Sequence, residues 1–320
     1  MSTVLGASLR WAVLSLAVSS APLAAGLAAP APPPLMPASA LVPGPPLVIG
    51  HAGSGFFTPF LPFNPLPPSS LRSIEKALRR NADGVEVDIR LSQDSIPVLY
   101  HDHTLNSMSD GQGCVSQTTA AALQLLHYRG GWPYDWFQQE KISTFETLLS
   151  LLAQRPTFPY LHLDLHEDDA CSNADVVRSQ ALARRLVRLL THYHVPPEKV
   201  LILTNRPSTL AYLHHLLPAM PLGLEITDEF DEGMLALSSL DVQAVVLPKN
   251  AVTAARVTQI HALGRQVVVF GGRSTKALRR VVSCQPDAYE VDNVRRLQAV
   301  LRRVQTNHQE TLSSVHATSP

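Results

Sequence analysis

The sequence predicts an α/β fold: a closed (β/α)8 TIM barrel in a single domain, with an insertion after the second strand. Three observations carry that expectation. From about residue 160 onward, short apolar runs alternate with segments of helical period, the pattern of a parallel sheet joined by crossover helices. Adding the earlier runs gives eight main strands, each followed by a helix or an insertion. His51, Asp88, His166, Arg206, Lys249, Arg273 and Asp292 then fall at strand carboxyl ends, where barrel sites form. An open doubly wound sheet is the runner-up, but no Gly-rich dinucleotide fingerprint follows the first strand.

The chain has 320 residues and no net formal charge. That length suits one large barrel domain, and the balanced charge argues against nucleic acid as a partner. Cys114, Cys171 and Cys284 are too few and too scattered for a disulfide framework or zinc cluster. They read as three buried or indifferent thiols, with one disulfide and a spare thiol as the other reading.

Arg10 precedes an apolar segment from Trp11 to about Ala29 that is broken by Ser19, Ser20 and Pro22. This is the layout of a secretory signal (residues 1–29), with cleavage after Ala25 or Ala29, and implies a secreted or periplasmic protein. The alternative is an uncleaved signal acting as a membrane anchor, which the interruptions weaken. No membrane span is expected in the mature chain. Residues 30–46, rich in Pro and Ala and uncharged, read as an extended linker. The barrel is assigned to residues 47–304 and a polar, frayed tail to 305–320.

In chain order, Leu47-Val-Ile49 is a short strand delivering Gly50-His51. A loop with Phe56, Phe57, Phe60 and Phe63 follows, either a ligand wall or a loop packed on itself. Ser70 is a helix N-cap before Leu71, Ile74, Ala77 and Leu78 at helical spacing. The acidic strand Gly84-Val-Glu-Val-Asp-Ile-Arg90 comes next, then a turn and a return run to His101. Residues 118–126 and 144–152 read as helices, the second capped by Thr144. In Tyr160-Leu-His-Leu-Asp-Leu-His166, leucines face one way and His162, Asp164 and His166 the other. Later strands end at Thr204-Asn-Arg206, Pro248-Lys-Asn250 and Gly271-Gly-Arg273, with helices between them.

Glu86 and Asp88 sit two apart in a strand, so both carboxylates share one face. A buried pair of acids needs a cation or a shared proton. With Asp164 they form a three-carboxylate set that favours a hard divalent cation, calcium or magnesium, over zinc. His51 and His101 flank that set and suit a general base and a general acid.

The ordered series Gly50-His51, Gly84-Val-Glu86-Val-Asp88 and Pro97-Val-Leu-Tyr-His101-Asp102 resembles the glycerophosphodiester phosphodiesterase family. Leu163-Asp164-Leu165-His166, residues 260–269 and Asp287-Ala-Tyr-Glu-Val-Asp292-Asn293 extend the resemblance over nearly the whole mature chain. It implies a barrel enzyme that hydrolyses small-molecule or lipid-derived glycerophosphodiesters to glycerol 3-phosphate and an alcohol. It also implies His51 and His101 as the acid–base pair, with Glu86, Asp88 and Asp164 holding the divalent cation. Attack by a vicinal substrate hydroxyl through a cyclic phosphate would profit from proximity.

The sequence departs from the family pattern in several places. Ala52 stands where Arg follows the first histidine, and Ser69-Ser70 where Glu-Asn opens the first helix. Asp164 replaces a Glu, and His166 a Lys. His166, Arg206, Lys249 and Arg273 are therefore assigned to phosphate binding. Two other readings remain: a non-catalytic relative that binds a phosphate or lipid headgroup, and a phospholipase-like phosphodiesterase on the same barrel.

Overall fold

The computed structural model describes residues 44–59, 63–169, 171–172 and 175–317. The expected leader, all but residues 44–46 of the expected linker, and Phe60 lie outside them. Strands β1 (Leu47–Gly50) and β2 (Gly84–Leu91) are joined by helix α1 (Leu71–Arg79). The insertion that follows carries β3 (Pro97–Leu99), α2 (Ala120–Leu123) and β4 (Ser143–Thr144). The chain then alternates through α3 (Phe145–Ala153), β5 (Tyr160–Leu165), α4 (Val176–His192), β6 (Val200–Thr204), α5 (Pro207–Leu216) and β7 (Leu222–Glu225). It continues with α6 (Phe230–Leu237), β8 (Ala244–Pro248), α7 (Ala254–Ala262) and β9 (Gln266–Phe270). The last elements are α8 (Thr275–Val282), β10 (Ala288–Val291) and α9 (Val294–Ala317).

Eight of these strands are parallel neighbours in the order β1-β2-β5-β6-β7-β8-β9-β10, and β1 pairs with both β2 and β10, which closes the barrel. The expected fold is the observed one. Strand β3 pairs antiparallel with β2, and β4 with β3, so the insertion is a side sheet hung on the outer end of β2. Among the described residues, no helix is long and apolar enough to cross a membrane.

The strand patterns explain the layering. Val85, Val87 and Ile89 of β2 and Leu161, Leu163 and Leu165 of β5 point outward, into the main core under the helices. Leu201, Leu203, Ala244, Val246, Val268 and Ala288 fill the barrel interior. In the β2–β5 register Glu86 lies beside His162, and Asp88 beside Asp164. Their polar faces therefore continue the barrel interior toward its carboxyl-terminal mouth. Thr144 and Ser70 cap α3 and α1 as expected, and Thr253 caps α7, each accepting a hydrogen bond from a backbone N–H three residues on.

Three expectations are corrected. The helix expected over 118–126 is the single turn α2, because beyond Leu123 the chain turns to pair with the residues just before β4: Ile142 N–H donates to Leu126 O, and His127 bridges Lys141. The tail expected to fray continues α9 as far as Ala317; between Val294 and that residue there is neither glycine nor proline to stop it. Cys114 and Cys171 are a disulfide rather than indifferent thiols, with their Cα atoms 6.4 Å apart, and Cys284 alone is free. The bond staples the insertion to the loop after β5, two segments that only the tertiary fold brings together. Because it closes a loop of 57 residues, converting both cysteines to serine is expected to cost up to about 4 kcal/mol. Urea unfolding of the wild type and the double variant measures the difference.

Candidate active site

Glu86, Asp88 and Arg90 alternate along one face of β2, and all three are buried, at 2, 2 and 7% exposure. Above them the loop after β1 folds back in left-handed turns at Ala52, Gly53 and Gly55. Gly55 is required twice over: its φ is +82°, and a Cβ there would lie 2.6 Å from the Cβ of Asp292. This turn aims the Ala52 N–H at Glu86 Oε2, 2.6 Å away. The other oxygen, Glu86 Oε1, is buried and has no hydrogen-bond partner.

Asp88 is fully engaged. Its Oδ2 accepts from Ser69 Oγ at 2.7 Å, and its Oδ1 pairs with His166 Nε2 at 3.0 Å. The same His166 nitrogen lies 3.3 Å from Asp164 Oδ2. Ligand oxygens of Glu86, Asp88 and Asp164 all fall within 4.8 Å of one another.

The electrostatics follow from crowding acids in a dry place. Burial, then the charges of Asp88, Glu290 and Asp164, push the Glu86 carboxyl well above the ordinary range. Burial pushes Asp88 upward too, but hydrogen bonds from His166 and Ser69 and the nearby His101 outweigh it and hold Asp88 well below that range. Burial opposes the charged ring of His166, yet Asp164 and Asp88 raise it to about 10. Glu225, at the end of β7, is pushed up to about 8 by burial and by Asp164. His166 Nε2 is thus set between Asp88 and Asp164, and Glu86 keeps an unpartnered oxygen. A buried carboxylate oxygen with no donor, beside two further carboxylates, fits a divalent cation.

Two histidines flank this cluster, each backed by a carboxylate. His51 Nδ1 is 2.9 Å from Asp292 Oδ1, and its Nε2 faces Glu86 Oε2 at 4.0 Å. His101 Nδ1 is 2.6 Å from Asp102 Oδ1. The Phe56 ring stands between them, 5.5 Å from His51 and 5.3 Å from His101 between centroids. Part of the aromatic loop is therefore a wall of the site, while Phe57 and Phe63 pack on Tyr134 of the insertion. Burial lowers His51, but its bond to Asp292 and the surrounding acids outweigh that and leave it raised. The hydrogen bond from His101 lowers Asp102 to about 2.

The assigned cations divide. Arg273 Nε reaches Asp292 Oδ2 at 3.3 Å, and the charge of Lys249 also helps hold Asp292 down, although burial pushes that carboxyl up. Arg206 is turned elsewhere, paired with Asp168 at 2.7 Å and with Ser179 of α4 at 3.4 Å. His166 lies in the carboxylate cluster itself.

Sequence reasoning passed over Arg90, Ser69 and Glu225. Arg90 donates to the backbone carbonyls of His101 at 2.7 Å, His166 at 3.1 Å and Asp168 at 2.7 Å, tying both histidine loops to β2. Its parity with Glu86 and Asp88 was the available signal. Ser69, next to a helix cap, gave none, because its bond to Asp88 joins residues 19 apart in sequence. His162, deeper in the barrel, pairs with Glu290 across the interior at 2.6 Å and stays out of the cluster.

A closed parallel barrel with grouped carboxylates and carboxylate-backed histidines at its strand ends is the frame of a phosphodiester hydrolase. The chain belongs to the glycerophosphoryl diester phosphodiesterase family, whose family model matches residues 62–296. That span includes His101 and all three clustered carboxylates, and begins after His51. A glycerophosphodiester phosphodiesterase of Bacillus altitudinis is 22% identical over 231 residues, covering 71% of this chain and 89% of that one. The human glycerophosphodiester phosphodiesterase 1 is 38% identical over 61 residues, only 19% of this chain and 18% of its own length. A solved phosphodiesterase of Oleispira antarctica, in complex with the product sn-glycerol-3-phosphate, superposes with a TM-score of 0.68 at 24% identity, covering 80% of this chain and 97% of that one.

Proposed function

We propose that the protein hydrolyses glycerophosphodiesters to glycerol 3-phosphate and an alcohol, in a divalent-cation-dependent reaction with His51 and His101 as the acid–base pair. The observation that carries the reading is the pairing of a cation-ready carboxylate cluster with a carboxylate-backed histidine on either side of it. Glu86, Asp88 and Asp164 hold the cation; three hard oxygen donors favour calcium or magnesium. When bound, it supplies positive charge to a phosphate oxygen and so stabilises the transition state.

The protein's own groups supply the rest. Asp292 holds His51 through Nδ1, so Nε2 is the nitrogen presented to the site, and Asp102 does the same for His101. One imidazole takes the proton of the attacking substrate hydroxyl and the other returns one to the leaving alcohol; water then opens the cyclic phosphate to glycerol 3-phosphate with the two proton-transfer roles reversed. Lys249 and Arg273, on the Asp292 side, offer the charge that a family arginine would have given at Ala52. Phe56, between the two histidines, excludes water from one wall and favours a substrate with an apolar portion. The disulfide is consistent with an oxidising compartment, the setting that the expected leader implies.

Hydrolysis of glycerophosphocholine and of lysophosphatidylcholine, with magnesium, with calcium and after chelation, tests the proposal. Turnover that needs the cation is expected. Absence of cation-dependent turnover on either diester would overturn it.

A further inference from the structure

The carboxylate cluster is not the only set of ligand atoms at the mouth. Asp88, His101 and His166 also bring one ligand atom each within 4.8 Å of one another. The rings of His101 and His166 lie 4.6 Å apart between centroids, tilted by 53°. We propose that these three residues form a second cation site, selective for a borderline transition metal such as Zn2+, whose occupation inhibits the enzyme.

Four features support it. The donors are two imidazole nitrogens and one carboxylate oxygen, a set that binds Zn2+ far better than Ca2+ or Mg2+. His101 Nδ1 is bonded to Asp102 at 2.6 Å, so Nε2 is the nitrogen left for a metal; a carboxylate behind a histidine is the usual support of a ligating imidazole. Arg90 grips the backbone carbonyls of both histidines, so their positions are set before any ion arrives. Finally, Asp88 belongs to both clusters, and a shared carboxylate is how neighbouring metal ions are commonly joined.

Inhibition follows from the role of His101, and that part rests on the proposed function. A metal on Nε2 occupies the lone pair that proton transfer needs, so Zn2+ would silence an otherwise complete, magnesium-loaded site.

The experiment uses the full chain in excess magnesium. Zn2+ is titrated calorimetrically, and Co2+ is used as a visible-absorption probe of nitrogen ligation. One tight equivalent is expected, with Co2+ bands reporting nitrogen ligands. Both H166K and H101Q should weaken it by at least about 10-fold, and circular dichroism checks that each variant is folded. E86Q, which alters only the carboxylate cluster, should keep the Co2+ signature. Loss of binding in E86Q with retention in H166K would overturn the second site, as would Zn2+ binding that neither histidine variant changes. In parallel, saturating Zn2+ should suppress magnesium-supported turnover by about 10²-fold or more, the contribution of a general acid–base group; a Zn2+-loaded protein with full turnover overturns the inhibitory role. If no diester is turned over at all, the proposed function fails while the metal titrations still decide the site.

Discussion

Glu86→Gln is expected to abolish cation-dependent turnover while leaving the cation-free protein at least as stable as the wild type. Removing charge stabilisation worth several kcal/mol should lower kcat on the order of 10²- to 10⁴-fold. The opposite sign for stability comes from the burial of Glu86 among Asp88, Glu290 and Asp164, which raises its pKa. A raised carboxyl contributes stability that is fully present below the ordinary Glu range. That stability is lost as pH rises toward the raised value, because the folded state must then accept a buried charge. The cation-free wild type should therefore weaken over that window, and the glutamine variant should not. Cation binding works in reverse: at about 100 times Kd it should stabilise the wild type by about 2.7 kcal/mol and E86Q far less. Thermal unfolding against pH, with and without magnesium, reads both effects. A variant destabilised at neutral pH without cation, or one that keeps its cation-induced shift, would show that Glu86 is structural rather than a ligand.

His51→Ala is expected to lower kcat about 10²- to 10⁴-fold with cation-induced stabilisation unchanged, because it removes an acid–base group and no carboxylate ligand. Asp292→Asn should follow with a smaller loss and a diagnostic shift. Asp292 is the main influence that raises His51 against its burial. Without its charge, the limb of the pH–rate profile that reports His51 should move to lower pH. Steady-state kinetics on glycerophosphocholine from acid to mild alkali distinguishes the cases. Full activity in His51→Ala would remove that histidine from the mechanism, and an unmoved limb in Asp292→Asn would reassign it.

Much of this molecule was legible in one dimension. The alternation of apolar runs and helical segments gave the barrel, because strand and helix periods are local properties of the chain. The same period-two rule put Glu86 and Asp88 on one face, and the ordered motifs around His51 and His101 carried the family. Asp292, at the end of the last strand, was visible as a position but not as a partner of His51, which lies 241 residues away.

What the tertiary structure alone decided is how these groups meet. Strand parity cannot say which of His162, Asp164 and His166 reaches the mouth; the β2–β5 register does, pairing Asp88 with Asp164 and leaving His162 at the level of Glu86. Nor can it tell that Arg206 pairs with Asp168 while Arg273 pairs with Asp292, since a long side chain follows the charges around it. The disulfide and the Ser69 bond to Asp88 join segments far apart in sequence, and no local signal marks them. The acidic stretch of β2 by itself required a cation or a shared proton. Pairing β5 beside it supplied Asp164 as a further carboxylate and set His166 against Asp88, and the loop after β1, folded over the strand ends, left Glu86 Oε1 buried without a donor.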